Sequence, residues 1–380
     1  MTTSQGDRIT INTVTDGPIE VVFAEATPEQ KAECFKQAGR TFVRGIPEEL
    51  WVTAEEALDQ LPLLQGKGCL HWCLYKAGAP KEIISSLRAI RRELLIRDAQ
   101  GVRQEIGYDI CFVATDEKYR GHGLASFLMR KVAEWFDGPG ATPVTTLYTA
   151  VGNFYVSFGW DLLPAPQVSF QLPSGLNRDT LQRKREESQS LPTRTVGPHE
   201  VADFCKRDIA QLRPQVEAYD LAPDTSLVTT LPIPEQFEWY RGLAKLQSDS
   251  WCGGREIDTV GAVCDEADIW MLWHHDLRKK ELKISRVKPA YGNPDLTTQT
   301  LVQLLRRAIE EAVSWEGLFE SVVIWEPSPE MNGALEILGK ELDFTPKSEM
   351  RVGVNHTSLR WAKAENRPTI FWPNEYYAYN

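Results

Sequence analysis

The chain has 380 residues, 42% hydrophobic and 10% aromatic, enough apolar surface for the cores of two or three ordinary domains and too much for wholesale disorder. Its 42 Lys and Arg stand against 53 Asp and Glu, a formal charge of −11, which disfavours a general binder of nucleic-acid phosphates and suits a basic amine. Apolar runs fall short of the ~20 residues of a membrane span, residues 1–17 are polar, and seven scattered cysteines show no disulfide framework. The expectation is a reduced, cytoplasmic setting without membrane or nucleic-acid partners.

Residues 19–26 read as a first strand. Thr27 then caps a helix, with Pro28 at its first position and Gln30 completing a capping box. Thr53-Ala-Glu-Glu56 has the same form and predicts a second helix start. Residues 70–75 and 83–88 read as strands around a Gly78-Ala-Pro80 turn, with 91–97 continuing the sheet. Cys69-Leu-His-Trp-Cys73 is a tight Cys/His cluster whose alternation reads as a half-buried strand, so no metal site is expected. Residues 108–114 form another strand. Leu124, Phe127, Leu128, Val132, Trp135 and Phe136 then make one apolar helical stripe, which Asp137-Gly-Pro-Gly140 ends. Strands at 144–150 and 168–172 complete an α/β domain over residues 1–172.

Residues 173–200 are polar, with a basic run Arg183-Lys-Arg185, and read as a linker. In 201–380, strands at 259–264, 269–274 and 282–287 precede a helix striped by Leu301, Leu304, Leu305, Ala308, Ala312 and Val313. Strand 321–325, helix 330–342 and strand 350–354 follow. That order matches 123–172, so the second domain is either a degenerate repeat of the first or an unrelated α+β domain.

Arg120-Gly-His-Gly-Leu-Ala125 lies between a strand and a helix. Small residues at a helix start leave backbone N–H groups pointing at one spot, at the positive end of the helix dipole, which suits a pyrophosphate. The dinucleotide fingerprint requires glycine where Ser126 stands, and the phosphate loop requires a following Gly-Lys-Ser/Thr that is absent. The remaining pattern, Arg120, Gly123 and Ala125, resembles the acetyl-CoA-binding motif of the GNAT acetyltransferase superfamily. Tyr155-x-x-x-Gly159-Trp160 is similar to that superfamily's tyrosine and Gly-aromatic signature. The whole chain resembles the fungal lysine N-acetyltransferases of lysine catabolism. The resemblance runs through Phe112-Val-Ala-Thr-Asp-Glu-Lys-Tyr-Arg-Gly-His-Gly-Leu-Ala125, Leu147-Tyr-Thr-Ala-Val-Gly-Asn-Phe-Tyr155 and, more weakly, Phe371-Trp-Pro-Asn-Glu-Tyr-Tyr-Ala-Tyr-Asn380.

The resemblance implies a GNAT-like mixed twisted sheet flanked by helices, followed by a second α/β domain that walls the substrate cleft. It implies an N-acetyltransferase using acetyl-CoA and no metal, acting as a monomer or homodimer on the amine of lysine or a related small molecule. An acyl-CoA sensor and a peptide acetyltransferase are the alternatives. Val113, Ala114 and Thr115 would meet the pantetheine arm, Arg120, Gly121, His122, Gly123, Leu124 and Ala125 the pyrophosphate, and Arg130 or Lys131 the 3′-phosphate. His122 is expected to be exposed. Tyr155 would protonate the leaving thiolate, with Tyr148 as the second tyrosine. An alkyl ammonium of pKa ~10.4 must also lose a proton. Period-two alternation puts Asp109 on one strand face with Cys111 and Val113, aimed into the cleft as base, with Glu105 a more distant option. The family's Ser-Cys-Glu-Thr-like stretch is here Ser85-Ser-Leu-Arg88, so Arg88 is expected to meet a substrate carboxylate. Asp295-Leu-Thr-Thr-Gln299 lacks glycines, so coenzyme is expected only in the first half. The aromatic tail 371–379 is expected to dock on the body, and its terminal carboxylate to enter the active site.

Overall fold

In the computed structural model, which describes residues 7–13, 17–43, 46–186, 191–288 and 293–379, helices cover two mixed, twisted sheets. The chain opens with β1 (Arg8–Thr13), β2 (Gly17–Glu25), α1 (Pro28–Phe42), α2 (Glu48–Leu58), β3 (Cys69–Lys76), β4 (Ala79–Asp98) and β5 (Gly101–Thr115). Next come α3 (Leu124–Asp137), β6 (Val144–Thr149), β7 (Asp161–Leu162), β8 (Pro166–Gln171), α4 (Arg178–Glu186), β9 (Arg194–Val196), α5 (Val201–Ala218) and β10 (Ser226–Thr230). Then follow α6 (Pro234–Trp251), β11 (Gly261–Cys264), β12 (Ile269–Asp276), β13 (Glu281–Lys288), α7 (Pro294–Ser314) and β14 (Ser321–Trp325). The chain closes with α8 (Pro329–Leu342), β15 (Lys347–Met350), β16 (His356–Trp361) and β17 (Thr369–Phe371). Among the described residues no helix is long and apolar enough to cross a membrane.

The first sheet runs β1-β2-β3-β4-β5-β6-β16-β7, with β10 pairing β4 and β17; the second runs β15-β8-β14-β13-β12-β11-β9. Each contains a parallel pair joined through a helix: β5 and β6 around α3, and β13 and β14 around α7. Of the two readings of the second domain, the repeat therefore fits. The halves also exchange strands. β16, from the C-terminal half, lies antiparallel to β6, while β8, expected to close the first unit, lies antiparallel to β14 in the second sheet. Neither sheet is complete without the other half of the chain. The stretch read as a linker carries α4 and the edge strand β9.

Local chemistry explains most of these elements. Thr27 accepts from Gln30 N and Gln30 Oε1 accepts from Thr27 N, a closed capping box for α1. Thr53 is not a cap: α2 begins at Glu48 after Pro47, and the Thr53 hydroxyl donates to Glu49 O inside the helix. The strand expected at 350–354 is instead β15, three residues earlier in its start, and Val352 and Val354 are exposed beyond it. The stripe of α3 packs Leu124, Leu128, Met129, Val132 and Phe136 on the first sheet with Trp72, Leu87 and Ile110. Arg360 on β16 grips the far end of α3, its Nη1 and Nη2 donating to Asp137 Oδ1 and Oδ2 at 2.8 and 2.6 Å.

The tail does dock on the body. β17 pairs parallel to β10, and Tyr377, 0% exposed, packs in the second core and donates its hydroxyl to Thr230 O at 2.7 Å. Tyr377→Ala is expected to cost about 3–5 kcal/mol through the cavity it leaves. Tyr377→Phe, losing only the hydrogen bond, should cost about 1 kcal/mol. Urea unfolding of both variants checks this; equal losses would refute the packing role.

Candidate active site at the parting of two strands

β5 and β6 pair as parallel strands over only three positions, the last being Ile110 with Leu147, although β5 continues to Thr115 and β6 to Thr149. Beyond Ile110 the two strands part, and the wedge between them is open. A bulge holds β5 in this course. Arg88 pairs with Cys111 and Ser86 with Ala114, so Leu87 alone stands opposite Phe112 and Val113. Phe112 takes a φ of 52°, and its ring is pinned by Phe42 at 5.6 Å, Trp51 at 6.0 Å and the Arg88 guanidinium at 4.6 Å. The bulge also breaks the period-two alternation. Cys111 packs with the cluster around Tyr148, whereas Val113 packs against the α3 side.

At the end of the wedge, Gly121 and Gly123 have φ of 84° and 71°, and Gly123 is the cap residue of α3 with no side-chain cap bond. Nothing lies within 4 Å of where a Cβ at either would stand, so backbone conformation rather than crowding requires glycine. The first-turn N–H groups of Leu124, Ala125 and Ser126 have no carbonyl a turn earlier inside the helix. Free N–H groups at a helix start are the donors an anion meets there. Arg120 is exposed, its Nε donating to Thr115 O at 3.2 Å, and His122 is half-buried. Lys131 is engaged by Asp7 at 2.9 Å and Glu134 at 2.8 Å, while Arg130 is exposed on the same helix.

A cavity of about 380 Å³ lies against the parted strands. Its walls come from α1, α2, β5 and β6 on one side and from α6, β12, β13 and the tail on the other. Tyr155 and Tyr148 both line it. Burial pushes the Tyr155 phenol up to about 12, so it keeps its proton at neutral pH. The Tyr148 phenol is also held well above its usual range, first by burial and then by the Asp109 charge, and its hydroxyl finds no partner among the described residues.

Asp109 does not point into the cavity. It is fully buried beneath, its Oδ2 3.8 Å from Arg92 Nη2. Glu105 lies farther along β5, 3.1 Å from Arg103. Arg88 is buried too, and its Nη1 donates to Glu55 Oε2 at 2.7 Å, so its first partner is inside the protein. Glu55 is the acid that sequence reasoning missed. It sits on α2, lines the cavity, and burial raises its pKa against the opposing pull of Arg88. Also missed was the β12–β13 hairpin, which brings His274, Asp276, Arg278, Lys279 and Lys283 to the cavity. Burial pushes His274 down to about 3, a neutral ring packed with Tyr240 and Tyr376. Tyr376 and Tyr379 of the tail line the cavity, and Tyr379 O accepts from Tyr240 Oη at 2.6 Å. The terminal carboxylate belongs to Asn380, outside the described residues. Asp59, Cys69 and His71 bring ligand-type atoms within 4.8 Å of one another, with Lys31 Nζ 3.4 Å from the Asp59 carboxylate.

The chain matches the LYC1 GNAT-like C-terminal domain over residues 179–380, more than half its length, and the acetyltransferase (GNAT) family over residues 46–160. It is similar to a lysine acetyltransferase of Yarrowia lipolytica, 23% identical over 297 residues that cover 69% of this chain and 73% of that protein. Among solved structures it is similar to a conserved protein of unknown function from Enterococcus faecalis V583, at 11% identity and TM-score 0.54, covering 90% of this chain and 73% of that one. A GCN5-related N-acetyltransferase from Anabaena variabilis is similar at 14% identity and TM-score 0.51, covering 90% and 73%. These two likenesses concern the fold.

Arg88→Met removes the partner of a buried carboxylate and is expected to cost about 3–5 kcal/mol near neutral pH. Glu55 titrates above its unfolded value, so the folded state binds its proton more tightly and stability falls as pH rises between the two values. Without Arg88 that window extends upward, and the variant's deficit should shrink between pH 8 and pH 5.5 and be partly relieved by adding Glu55→Gln. Urea unfolding at the two pH values checks this; a deficit that does not change with pH would contradict it.

Proposed function

Since the chain belongs to the family of the LYC1 GNAT-like C-terminal domain and is an N-acetyltransferase, we propose that it moves the acetyl group of acetyl-CoA to the amine of a small molecule, lysine or a related metabolite. The observation that carries this reading is the open wedge between β5 and β6, whose parted ends line the cavity, with the glycine loop following β5 at the start of α3. A cavity walled by α6 and the β12–β13 hairpin as well as by the first sheet suits a free metabolite better than a protein surface. The similarity to a lysine acetyltransferase supports an amino-acid-like acceptor. Walls from both halves of one chain make a monomer sufficient, and seven free thiols suit a cytoplasmic protein.

Acetyl-CoA supplies an activated thioester. The unpaired edge of Val113–Thr115 would hold its pantetheine arm, and the N–H groups from Gly121 to Ala125 its pyrophosphate. Amide formation joins the amine nitrogen to the acetyl carbon and breaks the carbon–sulfur bond. The ammonium gives up two protons, one to sulfur and one to solvent. Tyr155, protonated across the working pH range, stands on the cavity wall to donate to the sulfur and recover its proton afterwards. Glu55, the carboxylate on the α2 wall, is paired with Arg88, and Asp109 adds negative charge beside Tyr148.

Saturating acetyl-CoA, at about 100 times its Kd, should stabilise the protein by about 2.7 kcal/mol. Thiol release with a panel of amino acids and polyamines should be detected, and Tyr155→Phe should lower kcat by about 100-fold while keeping that stabilisation. Wild-type turnover by the variant would remove Tyr155 from the chemistry, and absence of coenzyme stabilisation would overturn the reading.

A further inference from the structure

The β12–β13 hairpin brings three cations to the cavity, Arg278, Lys279 and Lys283, in a protein whose formal charge is −11. Two of them have internal partners. Lys283 Nζ lies 2.8 Å from Asp276 Oδ2 and 3.3 Å from Glu281 Oε2, and Arg278 Nη1 donates to Phe42 O at 3.3 Å, reaching across to the end of α1. Lys279 forms no ion pair among the described residues. Its ammonium is held below the usual lysine value, first by the neighbouring Lys283 charge and then by burial, which together outweigh the opposing pull of Asp276 and Glu281.

The surroundings say which anion fits. The acids on the cavity wall, Glu55 and Asp276, already face Arg88 and Lys283. Between them the wall is apolar, with Trp51, Leu50 and Trp251. The glycine loop, where a pyrophosphate fits, is at the start of α3 and contributes none of the residues that line the cavity.

Resting on the acetyl-transfer reading above, we propose that Lys279, with Arg278 beside it, reads a carboxylate on the acceptor. The C-terminal half thereby selects amino carboxylates over plain amines. A carboxylate placed there adds a charge-assisted bond to an ammonium whose nearby acids, Asp276 and Glu281, are already paired with Lys283. Lys279 is exposed at the rim, so its removal does not disturb the core.

Steady-state kinetics on the full chain tests this with the best free amino acid in the panel, its carboxamide and its decarboxylated amine. The wild type should prefer the carboxylate form by about tenfold or more in kcat/KM. Lys279→Met should raise KM for the amino acid about tenfold, leaving kcat, the carboxamide kinetics and KM for acetyl-CoA within about twofold, and Lys279→Arg should restore most of the loss. Equal wild-type use of acid and amide, equal losses on both in the variant, or a raised KM for acetyl-CoA would each overturn the assignment. Turnover of every amine regardless of its carboxylate would sink this inference alone. Release of no thiol with any amine would instead sink acetyl transfer itself, and the inference with it.

Discussion

Two neighbouring parallel strands that pair for three residues and then separate are the constraint on which the rest of this structure depends. Leaving strand edges unpaired inside a protein is costly, because each N–H and C=O must find another partner. The chain holds the separation open from both sides. The bulge opposite Leu87 ties β5 to β4, and β16 ties β6 through six paired positions. Arg88, lodged between Glu55 and the Phe112 ring, braces the bulge from below. The wedge is therefore a built feature rather than a frayed edge.

The exchange of β8 and β16 makes the two halves one folding unit. Each sheet needs a strand from the other half, and the clamp of Arg360 on Asp137 passes that dependence to the helix that begins at the glycine loop. The first half contributes the loop, the wedge and Tyr155. The second contributes the cationic hairpin, the aromatic rings of Tyr240 and Tyr376, and the wall formed by α6. One half thus presents a loop shaped by its backbone and the other a wall carrying cations.

Features set by neighbouring residues were legible in the sequence. The capping box at Thr27, the stripe of α3 and the loop with Gly121 and Gly123 all depend on spacing within a few residues. Features set by distant contacts were not. Asp109 and Val113 share a face only if the strand is regular, and the bulge that separates them is paired against a residue on another strand. Arg88 shows its charge in the sequence but not Glu55, which meets it from 33 residues away. Thr53 matches a capping pattern, yet Pro47 and the two glutamates after it start the helix earlier. β10, β16 and β17 gain their places from partners in the other half, so their short runs carry no local signal of which sheet they join.

Amide hydrogen exchange of the full chain, with and without saturating acetyl-CoA, puts the wedge and loop to the most direct test. The account predicts slowed exchange at residues 113–115 and 121–126, with no change at the start of α7, where Asn293 Oδ1 already accepts from Leu296 N. Protection confined to the C-terminal half, or unchanged exchange at 121–126 with the coenzyme bound, would contradict it.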